Sequence, residues 1–206
     1  MRRTARSGLG RPRDDSRDEA ILDAVLDVLA DHGYSALTMD GVAGRARAGK
    51  ATIYRRWHGK ADLVVDAMSR LGLRRLEVPD TGSVRGDLLG FGTSLAAVLS
   101  GRLGRVATAV VGELPRSADL AGAFRRSFWA ILRSDLEEIL RRGVDRGEVA
   151  PGAPLDLLGG VIAGPFVLRL MVTGEPLNLA FVTRLVDEVA VPLLRVPRAA
   201  GPTGTA

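Results

Sequence analysis

From Ile21 onward, apolar residues return at helical spacing, and no run of useful length alternates apolar with polar as a half-buried strand would. The chain is therefore expected to be all-α. Ser16 and Glu19 form a capping box ahead of Ile21, Leu22, Val25, Leu26, Val28 and Leu29, and Gly33 follows as a stop, which predicts a first helix near 17–32. Thr38 precedes Met39, Val42, Ala43 and Ala46, and so caps a short second helix. A break at Arg47-Ala48-Gly49 leads into a third helix, Lys50 to Trp57, in which Ile53 and Trp57 share one face. Gly59 ends it, and a fourth helix runs from Ala61 to about Arg75. Two short helices joined by a tight turn behind a longer supporting helix make a helix-turn-helix unit.

Beyond the turn-rich "VPDTGS" at 78–83, apolar helical stretches lie near 84–99, 102–114, 119–143, 154–172 and 178–194, with Pro192 expected to end or bend the last. The expected organisation is a disordered basic arm at 1–15, a helix-turn-helix head at 16–60 and a connecting helix at 61–77. A second helical region at 78–196 and a disordered tail at 197–206 complete it.

Residues 1–75 hold 15 Lys/Arg and 10 Asp/Glu, whereas residues 76–206 hold 14 of each, so the whole net charge of +5 lies in the N-terminal third. A basic module beside a neutral, apolar one fits a chain in which only the first touches a polyanion. Of the 29 basic residues 27 are Arg, a skew that reads as the trace of a GC-rich genome, so a bare count of arginines decides nothing. No cysteine is present, which excludes disulfides, thiolate nucleophiles and Cys-bound metal. The first twenty residues carry six arginines and lack the apolar core of a signal peptide. The most apolar window, Leu157 to Val172, is 16 residues long and broken by Pro165 and Arg169, where a membrane span needs roughly 20. A cytoplasmic, nucleoid-associated protein with no membrane partner is expected.

The stretch "GRARAGKATIYRRW" at 44–57 admits two functions. Gly44, four residues and then Gly49-Lys50 copy most of the phosphate-cradling pattern G-x-x-x-x-G-K-[ST]. That loop also needs a buried strand before its first glycine and a hydroxyl after its lysine; here the preceding residues have helical spacing and Ala51 follows Lys50. The DNA reading meets fewer exceptions. With Ile53 and Trp57 turned inward, the opposite face of the third helix presents Lys50, Ala51, Thr52, Tyr54, Arg55 and Arg56. Lys50, Ala51 and Arg55 are the candidates for base edges, and Thr38, Thr52, Tyr54, Arg56 and Lys60 for phosphates. In the arm, Gly10-Arg11-Pro12-Arg13 suits either an extended segment laying Arg11 and Arg13 along the minor groove, or a basic tail held loosely near phosphates.

The stretch "LTMDGVAGRARAGKATIYRRWHGKADLV" at 37–64 resembles the N-terminal module of TetR-type transcriptional regulators. Their pattern is an alanine-rich second helix, a short turn, a "K-x-T-[IL]-Y-x-x-[FW]" recognition helix and a lysine opening the fourth helix. By position, the resemblance implies phosphate contacts at Thr38, Thr52, Tyr54 and Lys60 and base-facing roles for Lys50, Ala51 and Arg55, in agreement with the spacing. It also implies that 78–196 is a ligand-binding and dimerisation domain, to which "VTGEPLNLAFVTRLVDEV" near the end adds a weaker likeness. The turn departs from the family, which usually reads Ala-Gly-Val-Ser where this chain has Ala46-Arg47-Ala48-Gly49. A left-handed backbone at Arg47 costs a non-glycine residue about 1–2 kcal/mol; alternatively Gly49 absorbs the bend and releases Arg47 to reach DNA.

Residues 84–194 carry no catalytic constellation, and the two histidines, His32 and His58, have no triad or metal-site neighbours, so no enzyme activity, cofactor or metal is expected. Phe91, Phe124, Phe128, Trp129, Phe166 and Met171, with Glu113 and Arg169 as polar handles, are either plain core or the lining of a pocket. The resemblance implies a small-molecule effector there. Gly160 and Gly164 allow close helix approach, and Phe181, Val182, Leu185, Val186 and Val189 form an apolar stripe. These either make a homodimer interface or close the monomer's own core. A dimer would read a palindromic duplex DNA operator. The expected function is a DNA-binding regulator, a repressor released by a small apolar or amphipathic ligand. The alternatives are a ligand-independent activator or architectural protein and, more distantly, a helical enzyme using the C-terminal cavity.

Overall fold

The computed structural model describes residues 15–71, 76, 78–150 and 155–195. Helices follow in the order α1 (Asp15–Ala36), α2 (Met39–Arg45), α3 (Lys50–Tyr54), α4 (Lys60–Leu71), α5 (Val84–Leu99), α6 (Arg102–Val111), α7 (Ala118–Phe124), α8 (Ala130–Asp145), α9 (Leu155–Leu168), α10 (Leu179–Arg184) and α11 (Val191–Arg195). There is no strand among the described residues. The all-α architecture is as expected, and Arg11 and Arg13 lie outside the described residues.

α1 already spans Asp15, so Ser16 sits inside the helix and not at its cap. Gly33 does break it, at φ 76 and ψ 178, because only glycine takes that backbone freely. Thr38 caps α2 by accepting the Gly41 N–H at 3.0 Å. α3 is shorter than the spacing predicts: its regular part ends at Tyr54, and Arg56 and Trp57 close a tight turn through N–H bonds to the Ile53 carbonyl at 2.9 and 3.0 Å.

Ile21, Leu22, Val25 and Leu29 of α1 are buried in one cluster with Leu37, Val42, Ile53 and Trp57, and that cluster continues into the C-terminal helices. The Trp57 indole N–H donates to Asp66 of α4 at 2.9 Å, so the far end of the recognition segment is bolted to the next helix. α1 also packs on α6, and α4 on α7. The N-terminal unit thus rests directly on the C-terminal helices.

Three wide π-helical turns, Arg125–Trp129, Arg169–Thr173 and Leu185–Ala190, interrupt what the spacing predicts as regular helices. The last of them immediately precedes Pro192, which has no N–H to give and whose ring clashes with the carbonyl four residues back in a regular α-helix. The chain resumes a regular α-helix at Val191 and continues to Arg195.

Candidate nucleic-acid interface

The turn between α2 and α3 decides how the recognition segment is presented. After α2 the Ala48 N–H reaches the Ala43 carbonyl at 2.9 Å and the Arg47 N–H reaches the Gly44 carbonyl at 3.2 Å, the paired bonds of a Schellman stop. That motif requires a left-handed residue, and Arg47 supplies it at φ 48, alone among the described non-glycine residues. Gly49 is extended at φ −69 and ψ 137, so it does not absorb the bend. Gly44 lies within α2, and a phosphate loop, which needs a strand there, is not formed.

Ile53 is fully buried and Trp57 nearly so, while Lys50, Ala51, Tyr54 and Arg55 face solvent, with Tyr54 53% exposed. A row of cation, methyl, phenol and cation therefore stands exposed on one side of α3. Arg47 is exposed beside it, and Thr52 is half-buried. Among the described residues Arg47 and Arg55 make no ion pair. Lys50 pairs with Asp40 at 2.7 Å, but both side chains are mostly exposed, so the pair is worth under about 1 kcal/mol and yields readily to a phosphate or base.

Two of the expected phosphate contacts have other partners. Arg56 turns inward onto Asp18 of α1, a carboxylate only 8% exposed, and this pair ties the end of the recognition segment to the supporting helix. Arg56 is thereby engaged inside the fold, where a buried carboxylate without a counter-charge would be far more costly than a free arginine, so a phosphate would have to compete with Asp18 for it. Lys60 stands 4.0 Å above the Tyr34 ring. Partial burial draws its pKa down, opposed by the charge of Glu113. Burial raises the Tyr34 pKa, against a hydrogen bond with Ser117. A phosphate would compete with Tyr34 for Lys60.

A relay that the spacing did not reveal holds this unit to α6. Arg102 donates to the Asp23 carboxylate at 3.1 Å and to its backbone carbonyl at 2.6 Å, and pairs with Asp27 at 2.6 Å. Asp27 also pairs with Arg45, the last residue of α2, at 3.6 Å. The available signal was the i, i+4 spacing of Asp23 and Asp27 on the outer side of α1.

Behind α6 lies a cavity of about 160 Å³. Phe124, Phe128, Trp129, Phe166 and Met171 line it, as do Ala107, Thr108 and Val111 of α6. The other three expected lining residues are elsewhere. Phe91 is fully buried core. Glu113 acts on Tyr34 and Lys60 through its charge. Arg169 is occupied by Glu175 at 2.8 Å, the Pro176 carbonyl at 2.6 Å and the Phe181 ring at 4.0 Å, where it pins the 174–177 loop.

The apolar stripe of the last helix also divides. Phe181, Val182, Leu185 and Val186 are buried within the chain and close its own core, which removes them from the free surface. Val189 remains 45% exposed. On α9, Gly160 and Gly164 are exposed, with no atom of the described residues within 4 Å of where a Cβ would stand, flanked on the same stripe by exposed Leu157 and Leu168.

A short exposed recognition helix on a buried three-helix base, set on a larger helical body, defines a helix-turn-helix DNA-binding protein. Residues 21–67 match the family described as "Bacterial regulatory proteins, tetR family", and residues 78–189 match "Tetracyclin repressor-like, C-terminal domain". The chain is similar to the uncharacterized HTH-type transcriptional regulator YdeS of Bacillus subtilis, with 36% identity over 86% of this chain and 89% of that one. It is also similar to the DNA-binding transcriptional repressor TetR of Mycobacteroides abscessus, with 34% identity over 89% and 96%. Among solved structures, the TetR family transcription regulator SCO0332 aligns with a TM-score of 0.72 and 31% identity, over 88% of this chain and 100% of that one. The chain belongs to the TetR family and is a DNA-binding transcriptional regulator. Among its described residues no single helix is long and apolar enough to cross a membrane.

Proposed function

We propose that the protein is a homodimeric repressor that leaves a palindromic operator when a small molecule enters the cavity behind α6. The observation that carries this reading is the exposed row Lys50, Ala51, Tyr54 and Arg55, backed by fully buried Ile53. Helix N-terminal residues of such a segment read base edges, so Lys50 and Ala51 address bases, joined by Arg55 one turn on along the same exposed side, while Thr38, Thr52, Tyr54 and Arg47 hold phosphates. Lys60 joins them on release from Tyr34, and Arg11 and Arg13 belong to an arm that adds further backbone contacts. One such segment makes too few contacts for useful specificity, whereas a symmetric pair reads two half-sites roughly 34–36 Å apart.

The pairing surface in this proposal is the bare apolar stripe of α9 (Leu157, Gly160, Gly164, Leu168), with Leu179 and Val189 beyond it, all exposed in the single chain. The functional boundary falls at 78–83, between the DNA-binding part and the part that pairs and receives the ligand. α6 supplies the coupling: Ala107, Thr108 and Val111 wall the cavity while Arg102, at the other end of the helix, grips α1. A ligand that shifts α6 therefore favours a setting of the recognition segments wrong for DNA, and binding is lost by linkage. The protein works as a switch and not as an enzyme, on the nucleoid in the cytoplasm.

Selection of bound sequences from random duplexes tests the proposal. A palindromic consensus is expected, and a folded Tyr54→Ala/Arg55→Ala variant should lose its preference for it. Retention of full preference by that variant would sink the assignment of the DNA-facing row.

A further inference from the structure

The cavity's chemistry restricts what can occupy it. Its walls are carbon apart from Thr108, Trp129 and Met171, and the Thr108 hydroxyl already donates to the Gly104 carbonyl at 3.0 Å. Among the described residues no charged side chain lines it. The nearest expected handle, Arg169, is committed to Glu175, Pro176 and Phe181. A carboxylate or ammonium placed inside would lose its hydration and gain no counter-charge, which costs several kcal/mol.

Size narrows the class further. At about 160 Å³ the space is that of a carbon-lined cavity that stays dry and holds benzene, roughly 150 Å³. A long acyl chain exceeds it. The walls are aromatic on one side: Phe124 and Phe128 stack with centroids 4.8 Å apart, and Trp129 stands beside them. Such faces and edges favour a planar guest by offset or edge-on contact. Val167 and Met171, both 38% exposed, are where the lining meets the surface.

We infer that this cavity takes an uncharged molecule of one aromatic ring or a small fused pair, and rejects organic anions and cations of the same size; as the identity of the effector, this rests on the release reading above. The test uses the full-length protein without DNA, with toluene and indole as neutral probes, benzoate as the charged analogue of matching size and decanoate as the long anion. Calorimetry should show toluene or indole binding at least tenfold more tightly than benzoate or decanoate. Ala163→Phe, which fills the cavity, should weaken toluene binding at least tenfold.

Should that variant not fold, contacts from the toluene ring protons to the Met171 methyl in a nuclear Overhauser spectrum of the parent locate the guest instead. Benzoate or decanoate binding as tightly as toluene overturns the inference, and so does absence of binding by either neutral probe. Operator retention is measured separately on the same samples. Toluene bound in the cavity with operator still held supports the ligand class and counts against release. Operator released by benzoate alone overturns the ligand class and leaves release standing.

Discussion

Arg47→Gly should make the protein more stable and a poorer DNA binder at once. The same chain supplies the comparison: α8 ends in the same pair of bonds, Glu148 N–H to the Gly143 carbonyl and Gly147 N–H to the Val144 carbonyl, both at 2.9 Å, with Gly147 at φ 73 in the left-handed position. One stop uses glycine and the other arginine. A left-handed L-residue costs about 1–2 kcal/mol, and replacing it by glycine returns about 0.4–1 kcal/mol to the unfolded chain as added freedom. The net gain is about 0.5–1 kcal/mol, or roughly 1–4 °C in the melting midpoint of a chain of this length. If the guanidinium holds a phosphate, the slope of log affinity against log salt falls by about 0.9. The assay pairs thermal or urea unfolding with operator titrations at four salt concentrations. A variant that melts lower refutes the strain argument; one that melts higher with an unchanged salt slope refutes the phosphate contact. Gly147→Ala is the reciprocal control and should cost about 1 kcal/mol without touching DNA affinity.

Arg56→Ala should destabilise by about 2–3 kcal/mol, seen in urea unfolding, because it strands the Asp18 carboxylate, while the salt slope of operator binding stays unchanged. Arg102→Met should lose about 1 kcal/mol of stability and, if α6 carries the signal, blunt operator release at saturating effector. Asp87 is fully buried, and burial pushes its pKa up, but the backbone N–H and hydroxyl of Thr81, at 2.6 and 2.7 Å, with Arg146 and Arg142, outweigh that and hold it below the ordinary 3.8. The sign follows: a carboxylate depressed in the fold stabilises fully above its unfolded pKa and loses that contribution as pH falls through the folded value. The urea midpoint of the parent should therefore drop below about pH 4 more steeply than that of Asp87→Asn.

Much of this molecule was legible because local signals agreed with tertiary ones. Thr38 and Gly33 act through near neighbours in the chain, and Ile53 and Trp57 are set inward by their one-turn spacing, so capping and spacing rules locate all four without knowledge of the fold. The π-helical turns were not legible, since a winding change of one residue leaves an apolar stripe nearly intact in the sequence. The pairing of Arg56 is hidden for a related reason: its partner, Asp18, is 38 positions away, and spacing within α3 says nothing of which exposed-looking arginine a distant carboxylate will claim.

The C-terminal stripe failed differently, because an apolar face has the same pattern whether it meets its own core or a second chain. What separates the cases is the neighbour across the contact. Phe181 meets Phe166 edge-on with centroids 5.0 Å apart, and Val182 lies within 4 Å of where a Cβ on Gly92 would stand, so both are satisfied inside one chain. Gly160 and Gly164 meet no described residue. A glycine pair with no described neighbour gives up helix propensity at two positions for no visible internal contact. The close approach it permits is open to a helix from outside the chain, which is why the outward face of α9 and not the stripe of α10 bears the weight of the proposed dimer.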